Sequence, residues 1–392
     1  MNQFLVCFIS GASFLLSFLL YFHPLQHNIK ANKWLGLFVM TIGGAFIGSF
    51  LILKNTDSEN ILLFKFVNTV QFLTAPAFLF SILFFTNPSY KIKKSDWLHF
   101  VPFVLYGFFE YTIYYNTTSI SVFPLFKLTQ DTAFLVRNIL PVIMLPYFVA
   151  VYYLLKRHQT NLKLIVSNTS QINLEWLIQF LYILFITLFI WLNDAIFGIP
   201  YITEATNMIY AICIFFLAYY SIQQKTIFAF KQKDTQEIVD LFKNAQSDPL
   251  PGVPEQDEGA EPVSSEKSKF RLLTDTQLEN LTLQLSSLME QEKIFLDNDL
   301  NLSIIAKKLG ISIHEASFLI NKTTKDNFYN YVNKFRVEEA KRLLSSKKME
   351  ELNILGIAFA SGFNSKTTFN TTFKKYVGIS PTQYSKEQKN KE

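Results

Sequence analysis

IIAKKLGIS, residues 304–312, and GIAFASGFNS, residues 356–365, are two versions of one pattern. Each has Ile-Ala, three further residues and Gly, so that Ala306 and Ala358, and likewise Gly310 and Gly362, stand 52 residues apart. A small Ala lets two helices approach closely where they cross, and a Gly four residues later supplies the backbone freedom of the turn between them. Ser312 and Ser365 then fall where an N-cap should begin the next helix. The duplication predicts two helix-turn-helix units. Their second helices run over roughly 313–324 and 366–376, packed through Ala316 and Ile320 in one and Phe369 and Phe373 in the other.

Between the repeats, NFYNYVNKFRVEEAKRLLSS (327–346) places Phe328, Tyr331, Val332, Phe335, Val337, Ala340 and Leu343 at helical spacing. A helix of about 18 residues spans about 27 Å, enough to hold two recognition helices near the roughly 34 Å between successive major-groove faces. Charge points the same way. From Asp297 to Glu392, 16 Lys and Arg outnumber 10 Asp and Glu, a basic balance that suits a nucleic-acid binder and also an ordinary solvated surface.

Residues 296–386 resemble the AraC/XylS-type transcription regulators, through IIAKKLGIS, FYNYVNKFRVEEAKRLL and ILGIAFASGFNSKTTFNTTFKKYVGISPTQY. Gly362-Phe363, Phe369, Phe373-Lys374-Lys375, Gly378 and Pro381 fall at the family's spacing. The resemblance implies double-stranded DNA as partner. It implies base contacts from His314, Ser317 and Phe318 on the first recognition helix, and from Lys366, Thr367, Thr368, Asn370 and Thr371 on the second, with Lys374 on phosphate. Phe318 and Thr371 stand where members commonly have Arg, and Lys325 where they commonly have Gly. An Arg lost from a base-reading position removes a bidentate guanine contact. With Glu315 expected to face outward beside Phe318, sequence reading should rest mainly on the second helix.

The other half of the chain is of a different kind. The protein is 50% hydrophobic, with 41 Phe, too apolar on average for a soluble chain of 392 residues. Runs long enough to span a bilayer, about 20 residues each, occur near 3–22, 33–53, 61–86, 97–115, 135–155, 175–197 and 203–222. Lys30 and Lys33, then Lys91, Lys93 and Lys94, then Lys156, Arg157 and Lys163 fall in alternate loops, and the remaining loops carry only Lys54 and Lys127. The positive-inside rule thus predicts an outer amino terminus and a cytoplasmic C-terminal domain at a bacterial inner membrane. Seven spans in this order resemble the membrane sensors that some bacterial members of the family carry.

Lys65, Glu110, Arg137 and Asp194 are charged positions near the outer ends of their spans. They are a candidate pocket for a small ligand, against the plainer reading of snorkelling and span-end charges. The seventh span holds no Lys for a retinal Schiff base, and no matching pair of broken helices marks a transporter.

The domain order read from the sequence is a sensor at 1–222, a juxtamembrane helix at 223–246, an acidic, Pro-rich flexible linker at 247–270, a connecting or dimerisation helix at 271–295 and the DNA-binding domain at 296–392. Leu278, Leu281, Leu285, Leu288 and Met289 could pack that connecting helix on its own domain or on a second copy. HEASF (314–318) lacks the second His of a zinc-binding HExxH, Cys7 and Cys213 form no ligand spacing, and no Walker loop or GxSxG elbow occurs. The expectation is an all-α, membrane-embedded, homodimeric DNA-binding regulator in contact with lipid, with no enzymatic activity, metal or cofactor. The alternative is a receptor or transporter whose tail acts through a protein partner.

Overall fold

Small residues bring the first two helices together. In the computed structural model α1 (Gln3–Tyr21) lies along α2 (Ile29–Leu53), where Ser10 Oγ donates to the Gly43 carbonyl at 3.0 Å and Ser17 Oγ to the Gly36 carbonyl at 2.8 Å. A Cβ on Gly43 would lie 3.0 Å from Ser13 Cβ, and one on Gly36 3.0 Å from the Ser17 carbonyl oxygen. Close backbone approach with hydroxyl bonds across it is how helices associate where lipid removes the hydrophobic drive.

The structure describes residues 3–56, 59–118, 139–197, 200–227, 274–346 and 352–389, together with Asp234, Glu237, Ile238, Asp240 and Leu241. Their regular elements are all helices, without a strand, and they form two units: Met1–His158 with Leu174–Phe228, and Gln159–Asn173 with Ala229–Glu392. The whole of the expected linker, 247–270, lies outside the described residues, as does Arg137.

The first unit continues with α3 (Ile61–Val70), a 3-10 turn at Gln71–Leu73, α4 (Thr74–Thr86), α5 (Val101–Thr118), α6 (Leu140–Leu162), α7 (Glu175–Phe197) and α8 (Pro200–Gln223). Thr74 Oγ1 donates to Thr41 Oγ1 at 2.8 Å, tying α4 to α2. Five stretches, Gln3–Tyr21, Ile29–Leu53, Ile61–Thr86, Leu140–Leu162 and Ala205–Gln223, are long and apolar enough to cross a membrane, and Glu175–Ile190 is a shorter apolar helix. The expected fourth span is divided instead: Lys94–Phe100 winds as a 3-10 helix, and the α5 that follows carries Glu110 amid tyrosines. Phe4, Phe66, Phe108 and Phe189 are exposed on this unit, as side chains facing lipid would be.

The second unit is built around one helix. It comprises α9 (Asp275–Glu290), α10 (Leu302–Leu309), α11 (Ile313–Thr324), α12 (Phe328–Leu344), α13 (Ile354–Ala360), α14 (Lys366–Val377) and α15 (Pro381–Lys389). Val337, Ala340, Leu343 and Leu344 of α12 form one core with Ile357, Ala358, Phe363, Phe369 and Phe373. Leu285, Leu288 and Met289 of α9 are buried within the domain, whereas Leu283 is exposed.

The loop between α6 and α7 completes this unit. Val166 and Asn301 form an antiparallel bridge, with Leu302 N donating to the Ile165 carbonyl at 2.8 Å and Ser167 Oγ to the Leu300 carbonyl at 2.6 Å. Arg336, buried in the middle of α12, donates from Nε to the Phe295 carbonyl (2.7 Å), from Nη2 to the Asp297 carbonyl (2.8 Å) and to Ser167 Oγ (2.9 Å), and from Nη1 to the Ser167 carbonyl (3.3 Å). Burial pulls its pKa down to about 10, against the opposing charge of Asp297, so the guanidinium stays cationic at neutral pH.

Lys325, at the C-cap of α11, has φ +55°, in the left-handed region that disfavours a side chain. It is one of the positions where the family resemblance expects Gly. Lys325→Gly should therefore stabilise the domain by about 1 kcal/mol, read as a rise in the denaturant midpoint of the purified chain. An unchanged or lowered midpoint contradicts the strain.

Candidate nucleic-acid interface

Each helix-turn-helix is fixed by its caps. In the first, Asn301 Oδ1 accepts from Ile304 N (3.2 Å) to start α10, and Gly310, at φ +68°, ends it. Ser312 then opens α11 with a capping box: Ser312 Oγ accepts from Glu315 N at 3.2 Å and Glu315 Oε2 from Ser312 N at 2.8 Å. The Glu315 carboxylate is thus turned back onto its own helix start, and the outward-facing acid expected from the sequence is corrected. The S-x-x-E spacing carried that signal.

In the second unit Asn353 Oδ1 accepts from Gly356 N (2.8 Å), and Ser365 Oγ accepts from Thr368 N (3.1 Å). Gly362 between them has φ +89°. Because α14 must bury one face, Phe369, Thr372 and Phe373 go inward. Lys366, Thr367, Thr371 and Lys374 are exposed and Asn370 is half-buried. Thr367, Thr371 and Lys374, spaced four and three residues apart, share one face. Thr368 is half-buried, its hydroxyl accepting from Ser365 Oγ at 2.9 Å. The next residues are anchored: Lys375 Nζ donates to Asn330 Oδ1 (3.1 Å) and the Tyr376 hydroxyl to the Asn330 carbonyl (3.3 Å).

On α11 the three expected contacts are less open. His314, Ser317 and Phe318 are all half-buried, with Lys322 exposed beyond them. Burial pulls His314 below the usual histidine range, against the opposing charges of Glu237, Asp240 and Glu315.

Of the expected sensor pocket, two members meet. Lys65 Nζ lies 2.6 Å from Glu110 Oε2, and the Tyr106 hydroxyl donates to Glu110 Oε1 at 2.8 Å. Arg137 and the Asp194 side chain lie outside the described residues. A cavity of about 300 Å³ opens elsewhere in the same unit, lined among others by Thr41, Gln71, Thr74, Asn207 and Tyr210. It went unread because helix rotation, which decides what faces inward, leaves little trace in runs that are apolar all round.

Two capped helix-turn-helix units joined by one core helix have the architecture of an AraC-type helix-turn-helix domain at the C-terminal end of this chain. A family model described as "Helix-turn-helix domain" matches residues 305–387. The melibiose operon regulatory protein of Escherichia coli (strain K12) is 31% identical over 90 residues, 23% of this chain and 29% of that one. An uncharacterized HTH-type transcriptional regulator in the cgkA 5' region of Pseudoalteromonas carrageenovora is 28% identical over 163 residues, 39% of this chain and 92% of that one. Among solved structures, the C-terminal domain of AraT, a response regulator from Geobacillus stearothermophilus, is 29% identical, covers 30% of this chain and 88% of that one, and has a TM-score of 0.24. The match to the melibiose regulator thus spans under a third of that protein.

Proposed function

We propose that this chain is a membrane-bound one-component transcription factor, whose apolar helices respond to a signal and whose C-terminal domain reads DNA in a sequence-specific way. The observation that carries the reading is α14: Lys366, Thr367, Thr371 and Lys374 are exposed on a helix whose other face is locked into the core, in the same chain as five helices apolar enough to span a bilayer. Exposed Thr and the half-buried Asn370 can read base edges, and Lys374 supplies a phosphate contact. The loop charges support an outer amino terminus and a cytoplasmic domain. Lipid surrounds the first unit, and the exposed Leu283 of α9 favours a homodimer. For the signal, the neutral lining of the 300 Å³ cavity favours an uncharged ligand with one or two hydrogen-bonding groups, ahead of the Lys65–Glu110 pair, which is already satisfied.

The full chain in detergent, offered a random duplex library, should select a defined sequence. Asn370→Ala or Thr371→Ala should change that sequence. Lys374→Ala should weaken binding to every duplex alike and lower the salt slope by about one. The rival reading, a tail that binds a protein, draws on the absence of Arg at Phe318 and Thr371. It gains if no duplex is enriched over the input library at physiological salt.

A further inference from the structure

Within the second unit, acids that follow α8 in the chain are set against the first helix-turn-helix. Asp234, Glu237, Ile238, Asp240 and Leu241 are each helical, and Ile238 and Leu241 are buried. Asp234 Oδ2 accepts from Ser303 Oγ at 2.8 Å and from Lys307 Nζ at 2.8 Å, both on α10. Glu237 Oε2 accepts from Ile313 N at 3.2 Å, the first amide of the recognition helix α11. The charges of Glu237 and Asp240 both act on His314, the next residue.

These are positions that duplex DNA would use. A helix N-terminus and a neighbouring lysine are what a recognition element offers to backbone phosphate, and here each already holds a carboxylate oxygen. A carboxylate and a phosphate oxygen cannot share one N–H. Ile238 and Leu241, beside these acids in the chain, are buried, so the stretch is held by removal of apolar surface from water as well as by charge. The second recognition helix differs: among the described residues no carboxylate pairs with Lys366 or Lys374, and both are exposed.

We infer that the Asp234 and Glu237 carboxylates are an intramolecular substitute for DNA phosphate at the start of the first recognition helix, so that full engagement of DNA requires the displacement of the segment that carries them. The inference rests on the DNA-binding reading above. It also gives the membrane part a lever, because Asp234 follows the end of α8 at Gln223 by eleven residues in the chain. A signal that draws the segment off α11 uncovers the first half of the reader without any change in α14.

The test uses the full chain in nanodiscs of zwitterionic lipid at low salt. Binding to a labelled random-sequence duplex of about 30 base pairs, long enough for two adjacent major-groove faces, is read by anisotropy. Asp234→Asn with Glu237→Gln keeps the shape of both side chains and removes their charge; affinity should rise about tenfold, the effect of freeing charge-assisted contacts. Asp275→Asn with Glu279→Gln makes the same charge change on exposed positions of α9 and should alter affinity by less than about twofold. If the two pairs tighten binding equally, or the first pair does not tighten it, the shield is refuted. Should no form bind duplex, Lys374→Ala included, the DNA-binding reading itself fails and the shield falls with it.

Discussion

Gly362→Ala should unfold the second helix-turn-helix, while the matching change in the first repeat, Gly310→Ala, should be tolerated. Both glycines have positive φ, +89° and +68°, so both substitutions carry a left-handed backbone cost of about 1 kcal/mol. Their surroundings differ. A Cβ at Gly310 meets nothing within 4 Å, whereas one at Gly362 would stand 2.5 Å from the Phe295 carbonyl oxygen and 3.0 Å from Arg336 Nε. Neither neighbour can retreat, because they are hydrogen-bonded to each other at 2.7 Å in a buried site. The cost at Gly362 should therefore exceed about 4 kcal/mol, the range reserved for broken cores and buried networks. Pulse proteolysis of the two full-length variants separates the cases. Equal midpoints would mean that the close approach at Gly362 is not sustained in solution.

The second large effect is expected at Arg336. Its guanidinium supplies four hydrogen bonds to three backbone carbonyls and one hydroxyl, drawn from Phe295, Asp297 and Ser167, and it lies over the Phe363 ring at 6.0 Å. Arg336→Leu leaves those buried acceptors without donors and should cost about 3–5 kcal/mol. Arg336→Lys should rescue little, since one ammonium cannot reproduce a planar fork reaching in three directions. Ser167→Ala removes one acceptor of the guanidinium and the hydroxyl's own bond to the Leu300 carbonyl, and should cost only about 2 kcal/mol. A lysine variant as stable as wild type would show that charge alone, and not the fork, holds the three segments.

The sequence carried the local rules well. Ala306, Gly310 and Ser312, and their counterparts, are each demanded by a close crossing, a turn or a cap, and such demands act over a few residues. The inward Phe369 and Phe373 followed from helical period. What it did not carry depends on distant partners. Arg336 looks like one more cation on a charged helix, because its acceptors are backbone carbonyls that leave no sequence signature. Asp234 and Glu237 sit in a stretch read only as a helix leaving the membrane. Of the four charges expected to share a pocket, Lys65 and Glu110 do meet, Arg137 and the Asp194 side chain lie outside the described residues, and the separate cavity among uncharged side chains left no mark in the sequence.

The bond from Arg336 to Ser167 also fixes an order of events. The two residues are 169 apart in the chain, and the amino-terminal part of a chain is made and folded first. The loop that carries Ser167 is therefore synthesised long before the helix that needs it, and the reader assembles around a piece already anchored at both ends between α6 and α7. Protein released from the carboxyl side alone, by proteolysis or by internal initiation, would lack that piece. A stray tail of that kind would keep Arg336 buried in α12 while lacking two of the four acceptors its guanidinium uses.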